Sequence, residues 1–110
     1  MNEINKYKKA LVKAIIDTYR ERGTLDLIVL GQWSPYYIAI VDLVPKINRY
    51  LGKDLTLEQH IQLIHKLAKE DPDIVFVYEK MSIIRGGQKK YHFVAISRNL
   101  LMRYLQRCRK

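Results

Sequence analysis

The chain has few of the residues that cross-link a fold or interrupt its helices and strands: one cysteine, three prolines and five glycines among 110 residues. The single Cys108 excludes an intramolecular disulfide and supplies no cysteine cluster for zinc, which suits a reducing compartment. Apolar runs such as Leu27–Leu30 and Tyr36–Val41 are far too short to cross a bilayer, and no hydrophobic signal region follows Met1. We therefore expect one intracellular domain over residues 1–110, with no membrane segment.

Acidic residues are missing from the last part of the chain. Residues 80–110 contain nine Lys or Arg and no Asp or Glu, whereas residues 1–79 contain eleven of each sign. The formal net charge of +9 therefore belongs entirely to the last 31 residues. Such an excess attracts polyanions over about a Debye length, roughly 8 Å at physiological salt. A nucleic-acid backbone is the first partner to consider.

Apolar residues at spacings of three and four predict a first helix over residues 3–22, with Gly23 as its stop signal. The apolar run at residues 25–30 predicts either a brief buried strand or an extended link, because periodicity cannot decide over so short a stretch. The two alternatives stay open.

Ser34 and Pro35 together form a helix start signal that leads into residues 36–43. Pro45 should kink or end that helix, because proline lacks the backbone N–H and clashes with the preceding turn. A second helical piece then continues to Leu51, where Gly52 should end it.

Thr56 and Gln59 have the spacing of a capping box, which predicts a helix over about residues 57–70. A turn of about 100° per residue directs one apolar face inward and leaves a polar face outward. The expected inward residues are Leu57, Ile61, Ile64 and Ala68. The expected outward residues are Gln59, Gln62, Lys66 and Lys69.

Residues 74–84 and 91–97 are rich in β-branched and aromatic side chains, which predicts a two-stranded hairpin. Gly86 and Gly87 lie in the basic connection between them and can adopt positive φ angles. Residues 98–110 have the apolar spacing of a final helix. The expected class is α+β, with three N-terminal helical segments, the hairpin and a C-terminal helix.

This order of elements is that of a winged helix-turn-helix, with the recognition helix at about 57–70 and the wing at about 74–97. The run from Leu57 to Asp73, followed at once by an aromatic hairpin, resembles the recognition helix and wing of small winged-helix regulators from archaeal viruses. The resemblance covers roughly residues 56–96. It implies a viral protein that binds duplex DNA and regulates transcription in the host cytoplasm. The chain departs from a compact winged-helix protein in two ways: its middle segment, 27–52, is longer, and it has a basic terminal helix.

The predicted outer face and wing provide candidate contacts to double-stranded DNA. Gln59 and Gln62 can each pair with adenine in the major groove, so they are the candidates for contacting base edges. The expected contacts to phosphates or to a groove are Thr56, Lys66, Lys69, Arg85, Lys89 and Lys90. Each of these residues could instead belong to an ordinary solvated surface.

The terminal helix has two interpretations. Arg98, Arg103 and Arg107 could add phosphate contacts, while an apolar stripe could pack on the domain or pair with a second copy in a homodimer. That stripe consists of Leu100, Leu101, Tyr104, Leu105 and Cys108. A twofold dimer would bind half-sites about one helical turn of DNA apart.

Catalytic and metal sites are not indicated. His60 and His65 are five residues apart and so do not share a metal-binding helix face. The chain has no phosphate-binding glycine loop, and we expect no enzyme, cofactor, metal or small-molecule ligand. The alternative to DNA binding is a protein-interaction module that docks an acidic partner through the same scaffold. Single-stranded nucleic acid is a weaker third option.

Overall fold

The structure, a computed structural model, describes residues 3–32, 36–84 and 87–108, without the side chains of 78–90 and 108. Across this described part, five helices and three strands follow one another. They are α1 (Glu3–Glu21), α2 (Leu25–Val29), β1 (Ile38–Ala39), α3 (Ile40–Leu51), α4 (Leu57–Glu70), β2 (Ile74–Ile84), β3 (Gly87–Ile96) and α5 (Arg98–Cys108). The α+β class is confirmed, but four helical segments rather than three precede the hairpin.

Helix α1 is the centre of the core, and its prediction is confirmed. Leu11, Ile15, Ile16 and Tyr19 are completely buried, and α1 packs mainly against α3. Each such side chain stabilises the fold by roughly 1.5 to 3 kcal/mol. The chain leaves the helix at Gly23, whose φ of 70° is in the left-handed region that glycine adopts without strain.

Residues 25–30, expected as a strand or a link, contain the short helix α2 instead. The amide of Ile28 donates to Thr24 O over 3.1 Å, and that of Leu30 donates to Asp26 O over 3.0 Å. Ile28 is buried in the core. Five residues are too few to display a helical period, so the sequence could not separate helix from strand here.

The third helix begins later than its sequence signal suggested. The expected start at Ser34 and Pro35 lies outside the described residues, while residues 38 and 39 form strand β1 and α3 begins at Ile40. Strand β1 pairs with β3, with Ile38 opposite Val94. A two-residue strand has no detectable period, and its partner is more than 50 residues away in the chain. The predicted helix over residues 36–43 was therefore wrong in its first half.

Pro45 lies inside α3, which continues to Leu51. Of the two outcomes expected at Pro45, a kink or an end of the helix, the end is excluded, since one helix runs from Ile40 to Leu51. An internal proline disfavours a helix by about 3 kcal/mol, but Ile40, Leu43 and Ile47 are all completely buried along the inner face. Their burial outweighs the lost hydrogen bond. The predicted end of the helix is confirmed, since Gly52 caps it with a φ of 64°.

The antiparallel sheet has the order β1-β3-β2. Its base joins the core through Ile74, Val94 and Ile96. The pairing of β2 with β3 extends to Ile84 opposite Gly87 and shifts register between Val77 and Lys80. Only residues 85 and 86 lie between the strands, so the hairpin connection is shorter than the six residues that the sequence suggested.

Helix α5 begins where the Ser97 hydroxyl accepts the amide N–H of Leu100 over 3.1 Å. Leu101 is completely buried, and Leu100, Tyr104 and Leu105 are partly buried against the same core. These four residues of the apolar stripe therefore pack within their own chain, which is one of the two expected arrangements, while the side chain of Cys108 lies outside the described part of the structure. Within the described residues, no helix is long and apolar enough to span a membrane.

Candidate nucleic-acid interface

The turn between α3 and α4 is held by side chains at both ends. The Thr56 hydroxyl accepts the Gln59 amide N–H over 3.2 Å, and the Gln59 side-chain oxygen accepts the Thr56 amide N–H over 2.9 Å. This confirms the predicted capping box. Asn48, in α3, donates to Leu55 O over 3.0 Å and accepts its N–H over 3.1 Å. The start of α4 is thus fixed relative to α3.

His60 anchors α4 in the core, a role that the sequence analysis missed. Its side chain is completely buried, with Nδ1 2.7 Å from the Tyr7 hydroxyl and Nε2 2.9 Å from Asn48 Oδ1. Burial lowers the pKa of His60 and raises the pKa of Tyr7. The sequence signal for this burial was that His60 lies four residues before Ile64 and seven before Leu67, both of which are buried on the same helix face.

The outer face of α4 is polar as expected, although its apolar face differs at one end. Gln59, Gln62, Lys66 and Lys69 are all exposed. Ile64 is buried, but Leu57 is 39% exposed, so its predicted inward position was wrong. Leu57 is the first residue of the helix and lies beyond the edge of the core. Ile61 and Ala68 are partly buried against that core.

Gln59 and Gln62 differ in their availability for a ligand. The side-chain oxygen of Gln59 is already engaged by the amide N–H of Thr56, and the Thr56 hydroxyl is engaged in return. Gln62 lies one turn further along α4, and its side chain makes no hydrogen bond with the described residues. An amide must present both its oxygen and its NH₂ group to contact adenine bidentately. Gln62 meets that requirement without breaking an existing bond.

Aromatic stacking connects α4 to the hairpin. The His65 and Phe76 rings are 5.0 Å apart between centroids, at an interplanar angle of 23°. Phe76 in turn stacks on His92 at 5.9 Å and 24°. Beside this stack runs an open groove of about 550 Å³. It is lined by His65, Ala68, Lys69, Pro72, Ile74, Val75 and Phe76. Lys69 therefore lies where the outer face of α4 approaches β2.

The wing candidates lie at and near the end of the hairpin. Arg85 falls outside the described residues. Lys89 and Lys90, expected in the turn, belong instead to β3, where they pair with Ser82 and Met81. Their side chains are also outside the described part of the structure, so the expected contacts of all three basic residues stay predictions.

The arginines of α5 serve partly to hold that helix in place. Arg98 Nε donates to Val29 O over 2.8 Å, and Arg103 donates to Asp73 Oδ2 over 2.6 Å. Asp73 Oδ1 also accepts the Ser97 hydroxyl over 2.7 Å. Arg107 is exposed. These contacts of Asp73 could not be predicted from the sequence, because both of its partners follow the hairpin.

The described residues contain no group of three or more His, Cys, Asp or Glu side chains arranged to hold a metal ion. The buried polar side-chain atoms among them all have hydrogen-bond partners. The surface of α4, with the seam between α4 and β2, is therefore the candidate site, and its chemistry is that of hydrogen bonding and positive charge. In comparisons with known proteins, no family model, curated protein or solved structure matches the chain.

Proposed function

We propose that this chain is a winged helix-turn-helix protein that binds double-stranded DNA in a sequence-specific manner and regulates transcription. The observation that carries the proposal is the exposed face of α4, with Gln62, Lys66 and Lys69, on a helix that follows a capped turn and precedes a long hairpin. The order α1, β1, α3, α4, β2, β3 and the sheet order β1-β3-β2 support the winged-helix part of the proposal. Helices α2 and α5 are additions to that plan.

In this proposal α4 enters the major groove. Its 14 residues have a length of roughly 21 Å, and the groove is about 12 Å wide, which admits one helix. Gln62 contacts a base edge, with adenine as its preferred partner. Lys66 and Lys69 contact phosphates on either side and set the position of the helix. Gln59 supports the start of α4 instead of contacting a base.

The hairpin is the wing of the proposed complex. Its strands of 11 and 10 residues are roughly 35 Å long, and the part beyond Val77 reaches outward from the core. That reach suits contact with the DNA backbone or minor groove flanking the site of α4, through Arg85, Lys89 and Lys90. A regulator of this kind acts where the DNA is, in the cell interior, or in the host cytoplasm if the protein is viral.

The experiment is a titration of labelled duplexes of varied sequence at several salt concentrations. We expect a steep fall in affinity with salt, together with a preferred sequence. Gln62→Ala should reduce the preference at one base pair by about 1 to 3 kcal/mol. Gln32→Ala is the matched control, since Gln32 is exposed and lies between α2 and β1. Equal affinity for every duplex, or equal effects of the two variants, would contradict the proposal.

A further inference from the structure

A groove between α1, α2 and α5 is built from elements that the proposed DNA interface does not use. We call it the α2–α5 groove; its volume is about 410 Å³. It is lined by Arg20, Leu25, Asp26, Val29, Met102, Leu105 and Gln106. Beside it, Leu30 is 69% exposed, the largest value among the large hydrophobic side chains described. A contiguous apolar surface of this kind is a candidate binding site, whereas a single exposed apolar side chain is not.

The rim of the α2–α5 groove is mainly basic. Arg20, one of the lining residues, is exposed. Arg98 donates to the carbonyl oxygen of Val29, and that acceptor is neutral, so the bond leaves the positive charge uncompensated. Asp26 is the one carboxylate among the lining residues. Two guanidinium groups and one carboxylate, together with the lack of acidic residues in α5, give this surface a positive potential, which favours an acidic partner.

We propose that the α2–α5 groove binds an acidic, amphipathic segment of a partner protein. Apolar side chains of the segment enter between Leu25, Val29 and Met102, while its carboxylates meet the arginines of the rim. Methionine suits this purpose because its flexible side chain adapts to partners of different shape. This function is separate from DNA binding and would give a DNA-bound protein a second contact.

Two other occupants fit the groove less well. A second copy of the chain would bring two α5 helices together, each with three arginines and no acidic residue, and like charges across an interface weaken association. A nucleic acid could place phosphates against the arginines of the rim, but its bases would meet an aliphatic floor of leucine, valine and methionine, which has no aromatic rings on which to stack. An acidic, amphipathic protein segment matches both parts of the groove, since its apolar side chains fit the aliphatic floor and its carboxylates fit the basic rim.

The test uses a fluorescein-labelled helical peptide of about 15 residues with leucines at i, i+3, i+4 and i+7 and glutamates around them. One control peptide replaces every glutamate with lysine, and another replaces every leucine with alanine. We expect the first peptide to bind the full chain about tenfold more tightly than either control, as measured by fluorescence anisotropy. Equal binding of the lysine peptide would overturn the proposal.

Variants locate the binding surface. Arg20→Glu and Leu30→Glu, both at exposed positions, should each weaken peptide binding by about fivefold or more and leave DNA affinity unchanged. Lys66→Glu makes the same change of charge on α4 and should leave peptide binding unchanged. Equal weakening by Lys66→Glu would overturn the proposal, as would a dimer in sedimentation that Leu30→Glu dissociates. Because DNA affinity is measured separately, failure of the proposed DNA binding would be recognised on its own.

Discussion

At the scale of single residues, His60 makes its two hydrogen bonds in the neutral form. The Tyr7 hydroxyl donates to Nδ1, and Nε2–H donates to Asn48 Oδ1, which assigns the tautomer from the partners. Protonation would place a second ring N–H against the Tyr7 hydroxyl and a positive charge in the core. Burial of His60 therefore links the protonation of one side chain to the stability of the whole chain.

The free energy of unfolding should depend on pH through His60. Burial lowers the pKa of His60 from 6.5, so below pH 6.5 the unfolded chain binds the proton more readily than the folded one. Stability should be full above about pH 6.5 and should decrease as the pH falls toward the lowered native pKa. Urea unfolding between pH 8 and pH 5 measures this. His60→Gln should flatten the dependence; an unchanged slope in that variant would contradict the assignment.

Tyr7→Phe should destabilise the fold by about 1 to 3 kcal/mol, because the buried Nδ1 of His60 loses its donor while the ring is kept. Tyr37→Phe is the matched control, since Tyr37 is partly buried and makes no side-chain hydrogen bond with the described residues. That control should change stability by less than about 0.5 kcal/mol. Thermal unfolding of both variants measures the two effects. Equal shifts in Tm would contradict the prediction, because the hydrogen bond to His60 would then contribute no extra stability.

At the scale of elements, α3, its turn and α4 form a unit joined by Asn48. This side chain bonds to Leu55 in the turn and to His60 in the next helix. The orientation of α4 is therefore determined by contacts inside the fold, and its exposed face is presented without help from a ligand. Such preorganisation reduces the entropy lost on binding.

Pro45→Ala should stabilise the chain. Alanine restores the backbone N–H that can donate to Val41 O, and it is favoured over proline in a helix interior by about 3 kcal/mol. Release of the unfolded chain from the constraint of proline offsets about 1 kcal/mol of this. We expect a net gain of about 1 to 2 kcal/mol in urea unfolding. A loss of stability would mean that α3 depends on its geometry around Pro45, which is exposed.

Local signals predicted several elements correctly. Gly52, Thr56 and Gln59 mark a helix end and a helix start through bonds between residues close in sequence, so they could be recognised without the fold. Strand β1 and the burial of His60 depend on partners far along the chain, Val94 and Tyr7. The sequence pattern over a few neighbouring residues carries no information about such pairings. In the candidate site, the exposure of Gln62 and the engagement of Gln59 in its capping box were both predictable, and the capping box already argues against Gln59 as a contact to a base edge.

At the scale of the whole molecule, some positively charged side chains are free on the surface, whereas others hold helices together. Lys66 and Lys69 are exposed on α4. Arg98 and Arg103, in contrast, hold α5 to Val29 and to Asp73. The net charge of the chain therefore overstates the number of groups available to a polyanion.

A comparison of two double variants tests this division. Replacing Lys66 and Lys69 with alanine should reduce the slope of log affinity for duplex DNA against log salt by about two units, since each lysine neutralises one phosphate. Replacing Arg98 and Arg103 removes the same charge and should leave that slope unchanged while lowering stability by about 1 to 2 kcal/mol. Equal changes of slope would mean that α5 also contacts the DNA.

The register shift between Val77 and Lys80 separates the hairpin into a base, which belongs to the core, and an outer arm. A β-bulge changes the direction and twist of the strands beyond it. Residue pairs could therefore be inserted or deleted beyond the bulge without disturbing the pairs that face the core. Each two-residue addition to both strands would lengthen the arm by roughly 7 Å and preserve the alternation of its faces. The arm is thus a part of the molecule whose length evolution or design can adjust independently of the fold.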